Sequence, residues 1–173
     1  MKYNLIPCLL LSFCINVIVS LSSVQASSET ELGSYKDWDA YTTREGGKLV
    51  CYMGAVPTKS VGKYSKRGQT FLLITHRPNE KSINVISLRA GYTFKKSSEV
   101  QMTIGKLTFK LFTTNKWAFA ENASIDKKLV TAMIRGATLT VRGVSSRGTK
   151  TTDTYSLDGF TAAYRAIGKA CKI

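Results

Sequence analysis

The chain has a single histidine, His76, and only 11 acidic residues against 25 lysines and arginines. Nucleophilic catalysis usually needs a base beside the nucleophile, and zinc needs three or four clustered ligands. One histidine and four cysteines, with no C-x-x-C pair among them, offer little for either chemistry. The nucleophile-elbow pattern G-x-S-x-G is also absent. We therefore expect no catalytic residue, no metal site and no cofactor.

One catalytic arrangement stays open in the sequence. A hydrolase would use His76 as the base for a hydroxyl within residues 145–156, with Asp153 orienting the imidazole. The alternative is structural, because His76 ends an apolar run just before Arg77, and a strand-end histidine usually hydrogen-bonds the backbone. We take the structural role for His76 and Arg77 and keep the hydrolase as a rival.

Long hydrophobic runs are missing except at the start of the chain. Residues 1–26 combine a charged start at Lys2, an apolar run from Leu5 to Val19 and a small-residue ending at Ala26. The run is interrupted and shorter than the roughly 20 residues that a membrane-spanning helix needs. This pattern predicts a cleaved signal peptide over residues 1–26. Removing 26 of the 173 residues leaves 147 and, with Lys2 gone, lowers the formal net charge from +14 to +13.

The cysteines also indicate an exported protein in an oxidising compartment. Cys8 and Cys14 leave with the signal peptide, so Cys51 and Cys171 remain as a pair in an exported protein. We predict that they form one disulfide, the alternative being two buried thiols.

Short runs rich in β-branched and aromatic residues dominate the rest of the chain, as in "KLVCYMGAV", "LTFKLFT" and "TLTVRGV". Glycine pairs such as Gly46 and Gly47 supply turns between them. The pattern predicts a mainly β fold, an antiparallel β-sandwich or barrel-like domain. Residues 27–36 are small and polar, so we predict a flexible leader there and a single β-rich domain over residues 37–173.

Two segments have helical spacing instead. The first, residues 124–137, can begin with Ser124 or Asp126 as its cap and end at Gly136. It places four apolar side chains on one face: Leu129, Val130, Met133 and Ile134. The second has an apolar stripe of Phe160, Ala163, Tyr164, Ile167 and Cys171. We predict that this C-terminal helix packs on the sheet, joined to it by the disulfide.

The positive charge is concentrated in "TKSVGKYSKRG". This segment contains the candidate binding surface, formed by Lys59, Lys63, Tyr64, Lys66 and Arg67. Cations beside an aromatic ring suit an anionic polymer. We expect anionic glycans, lipopolysaccharide or a host-cell surface as partners rather than nucleic acid, with a solvated loop as the alternative.

The stretch "SSRGTKTTDTYSLDGF" is rich in hydroxyls and resembles a phosphate cradle at first sight. A cradle needs several glycines and a following helix, whereas here one glycine is followed by a strand. Arg147 and Gly148 instead predict a hairpin turn, and strand alternation puts Asp153 and Tyr155 on the inward face. A buried carboxylate needs a partner, so we predict that Asp153 meets Arg147 or a backbone amide.

Six segments of the chain together carry a family resemblance: "RG" at 67–68, "THRP" at 75–78, "GYTF" at 91–94, "LFT" at 111–113, "LVTAM" at 129–133 and "GVSSRGTKTTDTYSLDGFTAA" at 143–163. They resemble the invasion-associated locus B family of exported alphaproteobacterial proteins. The resemblance extends from Trp38 to Cys171. It implies a periplasmic, outer-membrane-associated or secreted protein, linked in some members to host-cell entry and virulence. No catalytic residue and no ligand come with it.

The sequence thus favours an exported, non-enzymatic binding protein of the bacterial envelope or host interaction, acting through a basic surface. Two alternatives remain: a periplasmic structural factor without a host ligand, and the hydrolase that uses His76. No transmembrane segment is expected after signal removal.

Overall fold

The computed structural model describes residues 29–173, so the predicted signal peptide lies outside the described residues. Within that range the chain forms eleven strands: β1 (Thr30–Tyr35), β2 (Trp38–Glu45), β3 (Lys48–Ala55), β4 (Lys59–Gly62), β5 (Phe71–Arg77), β6 (Ser82–Arg89), β7 (Glu99–Ile104), β8 (Leu107–Thr114), β9 (Trp117–Phe119), β10 (Thr138–Val144) and β11 (Lys150–Ser156). Two helices accompany them, α1 (Ala123–Arg135) and α2 (Phe160–Cys171), with a 3-10 turn at Pro78–Glu80.

The strands form one antiparallel sheet in the order β1-β2-β3-β5-β6-β9-β8-β7-β10-β11-β4. Most neighbours in the sheet are also neighbours in sequence, because tight turns join them. Glu45 pairs with Lys48 across the Gly46–Gly47 turn, and Ile104 pairs with Leu107 across the turn formed by Gly105 and Lys106. The predicted antiparallel, mainly β class with two helices is confirmed.

The sheet is open and sandwich-like, and it curls so that strands from opposite ends of the order meet. The indole Nε1 of Trp38 on β2 donates a 3.0 Å hydrogen bond to the carbonyl of Ser156 on β11. Thr58, just before β4, donates its backbone N–H to the carbonyl of Thr154 at 2.8 Å and so extends the pairing of β4 with β11. The curl encloses one continuous apolar core, in which Trp38 is fully buried.

Helix α2 closes the core over β2 and β3. Its stripe is buried at Phe160, Ala163, Ile167 and Cys171, and the ring of Phe160 meets Trp38 edge-on at 4.9 Å. Cys171 forms the predicted disulfide with Cys51, with a Cα–Cα distance of 6.0 Å. Both predictions for the C-terminal helix are therefore confirmed.

Helix α1 covers β6. The Asn122 side chain accepts the backbone N–H groups of Ser124 and Ile125 and caps the helix. Asp126 is buried and accepts the N–H of Ile86 at 3.0 Å, while burial raises the pKa of its carboxyl. Ile134, expected on the inward face, is instead 39% exposed. Neither helix of residues 29–173 is long and apolar enough to cross a membrane.

The flexible leader predicted for residues 27–36 is wrong where the chain is described, because residues 30–35 form β1 and pair with β2. Polar composition misled the prediction: an edge strand buries only part of its surface and does not need an apolar pattern. Residues 59–62, expected within a loop, likewise form the edge strand β4.

Candidate functional site

Two candidate segments from the sequence, the basic loop and the hydroxyl-rich turn, lie side by side because β4 pairs with β11. Val61 lies opposite Thr152, so the chain leaving β4 runs beside the turn that joins β10 to β11. Residues 63–68 and residues 145–149 thereby become the two walls of a cleft of about 650 Å³. These two motifs are more than 75 residues apart in the sequence.

Two glycines set the base of this cleft. Gly91 has a positive φ of 75°, and a side chain there would collide with the backbone carbonyl of Gly68. The N–H of Gly68 donates to the carbonyl of Gly91 at 2.9 Å. Only glycine permits this approach, which fixes residues 63–68 against the segment that follows β6.

Arg67 also lines the cleft, but its side chain is almost fully buried. Its guanidinium donates two 2.6 Å hydrogen bonds to the two carboxylate oxygens of Asp153, and its Nε donates to the carbonyl of Ala90 at 2.7 Å. The ring of Tyr92 lies 5.1 Å from the guanidinium carbon. Both charged side chains are at most 6% exposed. Burial alone would lower the pKa of Arg67, but the hydrogen bonds to Asp153 raise it, and the guanidinium stays charged.

This pair corrects two predictions. Asp153 is buried on the inward face as expected, but its partner is Arg67 and not Arg147 or a backbone amide. The guanidinium of Arg67, expected on the binding surface, is instead paired with this buried carboxylate. Arg147 is exposed at the tip of the β10–β11 turn.

The hydroxyl-rich turn is closed by its own hydrogen bonds. The N–H of Thr149 donates to Ser145 Oγ at 3.1 Å, and the N–H of Gly148 donates to the Ser145 carbonyl at 2.8 Å. The N–H of Ser146 donates to the carbonyl of Thr93 at 2.7 Å. Because these amides are already paired, the turn does not present a row of free N–H donors to a phosphate. The predicted hairpin is confirmed.

Charge at the cleft comes from side chains on three separate segments. Lys63 and Lys66 come from the loop after β4, Arg147 from the β10–β11 turn, and Lys116 from the β8–β9 turn. Lys63 and Arg147 also line an adjoining depression of about 570 Å³ that includes Lys150. None of the residues lining either space is acidic. No sequence motif indicates Lys116, which lies about 50 residues from Lys63 and Lys66 along the chain.

The cleft also offers aromatic and hydroxyl groups. Tyr64 is 37% exposed at its edge. Tyr92 shares a 2.6 Å hydrogen bond with the hydroxyl of Thr151, and burial raises the pKa of this tyrosine, so its phenol stays protonated. Lys59 is exposed on β4 but does not line the cleft. Cationic, aromatic and hydroxyl groups together suit a ligand with sulfate, phosphate or carboxylate groups on a sugar-like frame.

His76 lies elsewhere, under α2. It is fully buried, its Nδ1 accepts the N–H of Asn84 at 3.0 Å, and the ring of Tyr164 packs against it at 5.6 Å. Burial lowers its pKa to about 4. In the sheet, β6, β9, β8 and β7 separate β5 from β10. The structure does not bring His76 to the hydroxyls of the β10–β11 turn.

The remaining motif residues have structural contacts. Arg77 donates two 3.0 Å hydrogen bonds to Glu45 at the surface. Tyr155 is fully buried beside the Asp153 position on β11, and burial raises the pKa of its phenol. Among residues 29–173, no three potential metal ligands cluster together.

Comparison with known proteins places these features in context. Residues 38–168 match the family described as Invasion associated locus B (IalB) protein. The fold is similar to the crystal structure of invasion associated protein B from Bartonella henselae, with a TM-score of 0.57 and 16% identity over 81% of this chain and 96% of that one. At that identity, the likeness shows the fold alone. No curated protein sequence matches the chain.

Proposed function

Because the chain belongs to the invasion-associated locus B family, we propose that it is an exported, non-enzymatic binding protein whose basic cleft captures anionic groups of the bacterial envelope or a host surface. The family name suggests a role related to invasion. The Cys51–Cys171 disulfide fits an oxidising compartment outside the cytoplasm.

One observation carries the proposal: the cleft collects Lys63, Lys66, Lys116 and Arg147 around a space with no acidic lining residue. The contact between Arg67 and Asp153 holds the wall of residues 63–68 against β11. A concave surface of one charge sign concentrates counter-ions and attracts an oppositely charged ligand. Anionic glycans and lipopolysaccharide carry such groups.

The test is binding of the purified protein to heparin, to lipopolysaccharide and to an uncharged dextran across a salt series. We expect saturable binding to the two anionic probes that weakens as salt rises, because ions screen exposed charges. The uncharged polymer should not bind.

A triple variant, Lys63→Ala, Lys66→Ala and Arg147→Ala, assigns the binding to the cleft. Arg67 is left unchanged because it holds the core ion pair. The matched control is Arg165→Ala, Lys169→Ala and Lys172→Ala, which also removes three exposed positive charges, but from α2 and the residue that follows it. We expect at least a tenfold loss of affinity for the cleft variant and a much smaller loss for the control. Equal losses of affinity in the two variants would mean that net charge alone drives binding. Absence of binding by the wild-type protein would contradict the proposal.

A further inference from the structure

A second concave surface, of about 1020 Å³, lies between α1 and the β7–β8 hairpin. Strand β10 links the two sites: Leu139 near its start pairs with Ile104 in this groove, whereas Ser145, just after its end, lines the basic cleft. At about 3.4 Å per residue, the two sites are about 20 Å apart. This groove is therefore a separate site.

The groove exists because the core-facing side of β8 extends beyond the cover of α1. Leu107, Phe109 and Leu111 alternate onto one face of the strand. Leu111 is only 1% exposed, whereas Leu107 at the hairpin end is 55% exposed and Phe109 is partly buried. The same apolar face of β8 therefore belongs to the core at Leu111 and forms an open wall of the groove at Leu107.

Positive side chains surround this apolar surface. Lys127, Thr131 and Arg135 follow each other at four-residue spacing along one side of α1, with Lys128 beside them. Lys106 comes from the tip of the hairpin on the other side. None of the lining residues is acidic, so the rim carries four uncompensated cations.

We infer that the groove binds a fatty acid, with the acyl chain along Leu107 and Phe109 and the carboxylate at the lysine and arginine rim. Burial of the chain supplies hydrophobic free energy, and the rim supplies charge complementarity. The space is the size of a small-molecule site.

The test is calorimetric titration of the purified protein with dodecanoate, kept below its micelle concentration. Hexanoate and dodecyltrimethylammonium are the comparison probes, since one shortens the tail and the other reverses the charge. Saturable 1:1 binding of dodecanoate, at least tenfold tighter than either comparison, supports the inference. Absent or non-saturable binding, or equal binding of the cationic probe, overturns it.

Leu107→Glu places a negative charge on the apolar wall and should weaken dodecanoate binding at least tenfold. Phe112→Glu is the matched control, because Phe112 lies on the opposite face of the same strand and is 49% exposed. Melting temperatures of both variants show whether the fold is kept. Equal effects of the two substitutions would overturn the assignment. A second result would also overturn the assignment: the protein does not bind dodecanoate but forms a dimer, and Leu107→Glu dissociates that dimer. The groove would then be the contact surface for a second copy of the chain.

Discussion

The guanidinium of Arg67 meets the carboxylate of Asp153 through paired 2.6 Å hydrogen bonds, with both side chains almost fully buried. Charges withdrawn from water are costly unless each has its partner. The contact joins the loop after β4 to β11, so it stabilises the fold and also positions the cleft wall. This explains why the basic segment contains one arginine that is unavailable to a ligand.

Arg67→Ala should lower the free energy of unfolding by about 3–5 kcal/mol, because it leaves the carboxylate of Asp153 buried without a counter-charge. Urea denaturation measures the change. Arg77→Ala is the control: it breaks an exposed pair with Glu45 and should cost less than about 1 kcal/mol. Similar losses for the two variants would show that the buried pair is not a structural contact.

The contribution of His76 to the free energy of unfolding depends on pH. Burial lowers its pKa from 6.5 to about 4 in the folded protein. The unfolded chain therefore takes up a proton more readily than the folded one between these values. The contribution of His76 is fully present above pH 6.5 and is lost as the pH falls towards 4, by up to about 3 kcal/mol.

The measurement compares the wild type with His76→Gln by denaturation at pH 7 and at pH 4.5. Carboxylates affect both proteins alike, so the difference isolates the histidine. We expect the wild type to lose more stability than the variant over this interval. Parallel pH profiles would show that His76 is not held in its neutral form.

Among the elements, α2 has the clearest sequence signal, and its bounds match the predicted apolar stripe from Phe160 to Cys171. The helix α1 was predicted almost as closely, but its cap is Asn122 rather than Ser124 or Asp126. Asp126 instead accepts the N–H of Ile86 from the sheet. Periodicity identifies a helix, whereas the choice between two nearby polar side chains depends on what packs beside them.

The disulfide joins α2 to β3 and closes a loop with a sequence separation of 120. On the chain-entropy argument, such a bridge stabilises the fold by about 4–5 kcal/mol. The double variant Cys51→Ala and Cys171→Ala should lose about that much free energy of unfolding, as should the wild type under reducing conditions. If reduction leaves the unfolding curve of the wild type unchanged, the bridge contributes nothing to stability.

At the scale of the whole molecule, the basic cleft and the apolar groove lie at opposite ends of β10. Substitutions in separated sites without shared contacts usually act independently. We therefore expect the Lys63, Lys66 and Arg147 triple variant to keep its dodecanoate affinity, and Leu107→Glu to keep its heparin affinity. Titration of each variant with both probes checks this. A loss of both activities in either variant would show that the sites are coupled or that the variant is misfolded.

Local pattern determined much of this protein. Alternation and turn residues predict the antiparallel strands, helical spacing predicts both helices, and two remaining cysteines predict the disulfide. The inward position of Asp153 also follows from alternation alone, because successive side chains of a strand point to opposite faces.

Only the tertiary structure decided the partners across the sheet. Asp153 pairs with Arg67, 86 residues away, and Lys116 joins Lys63, Lys66 and Arg147 at one cleft. These meetings depend on the order of the strands and on the curl of the sheet, neither of which the alternation of a single strand encodes. For the same reason β1 escaped prediction, since a polar edge strand is held by backbone hydrogen bonds to β2 rather than by an apolar pattern of its own.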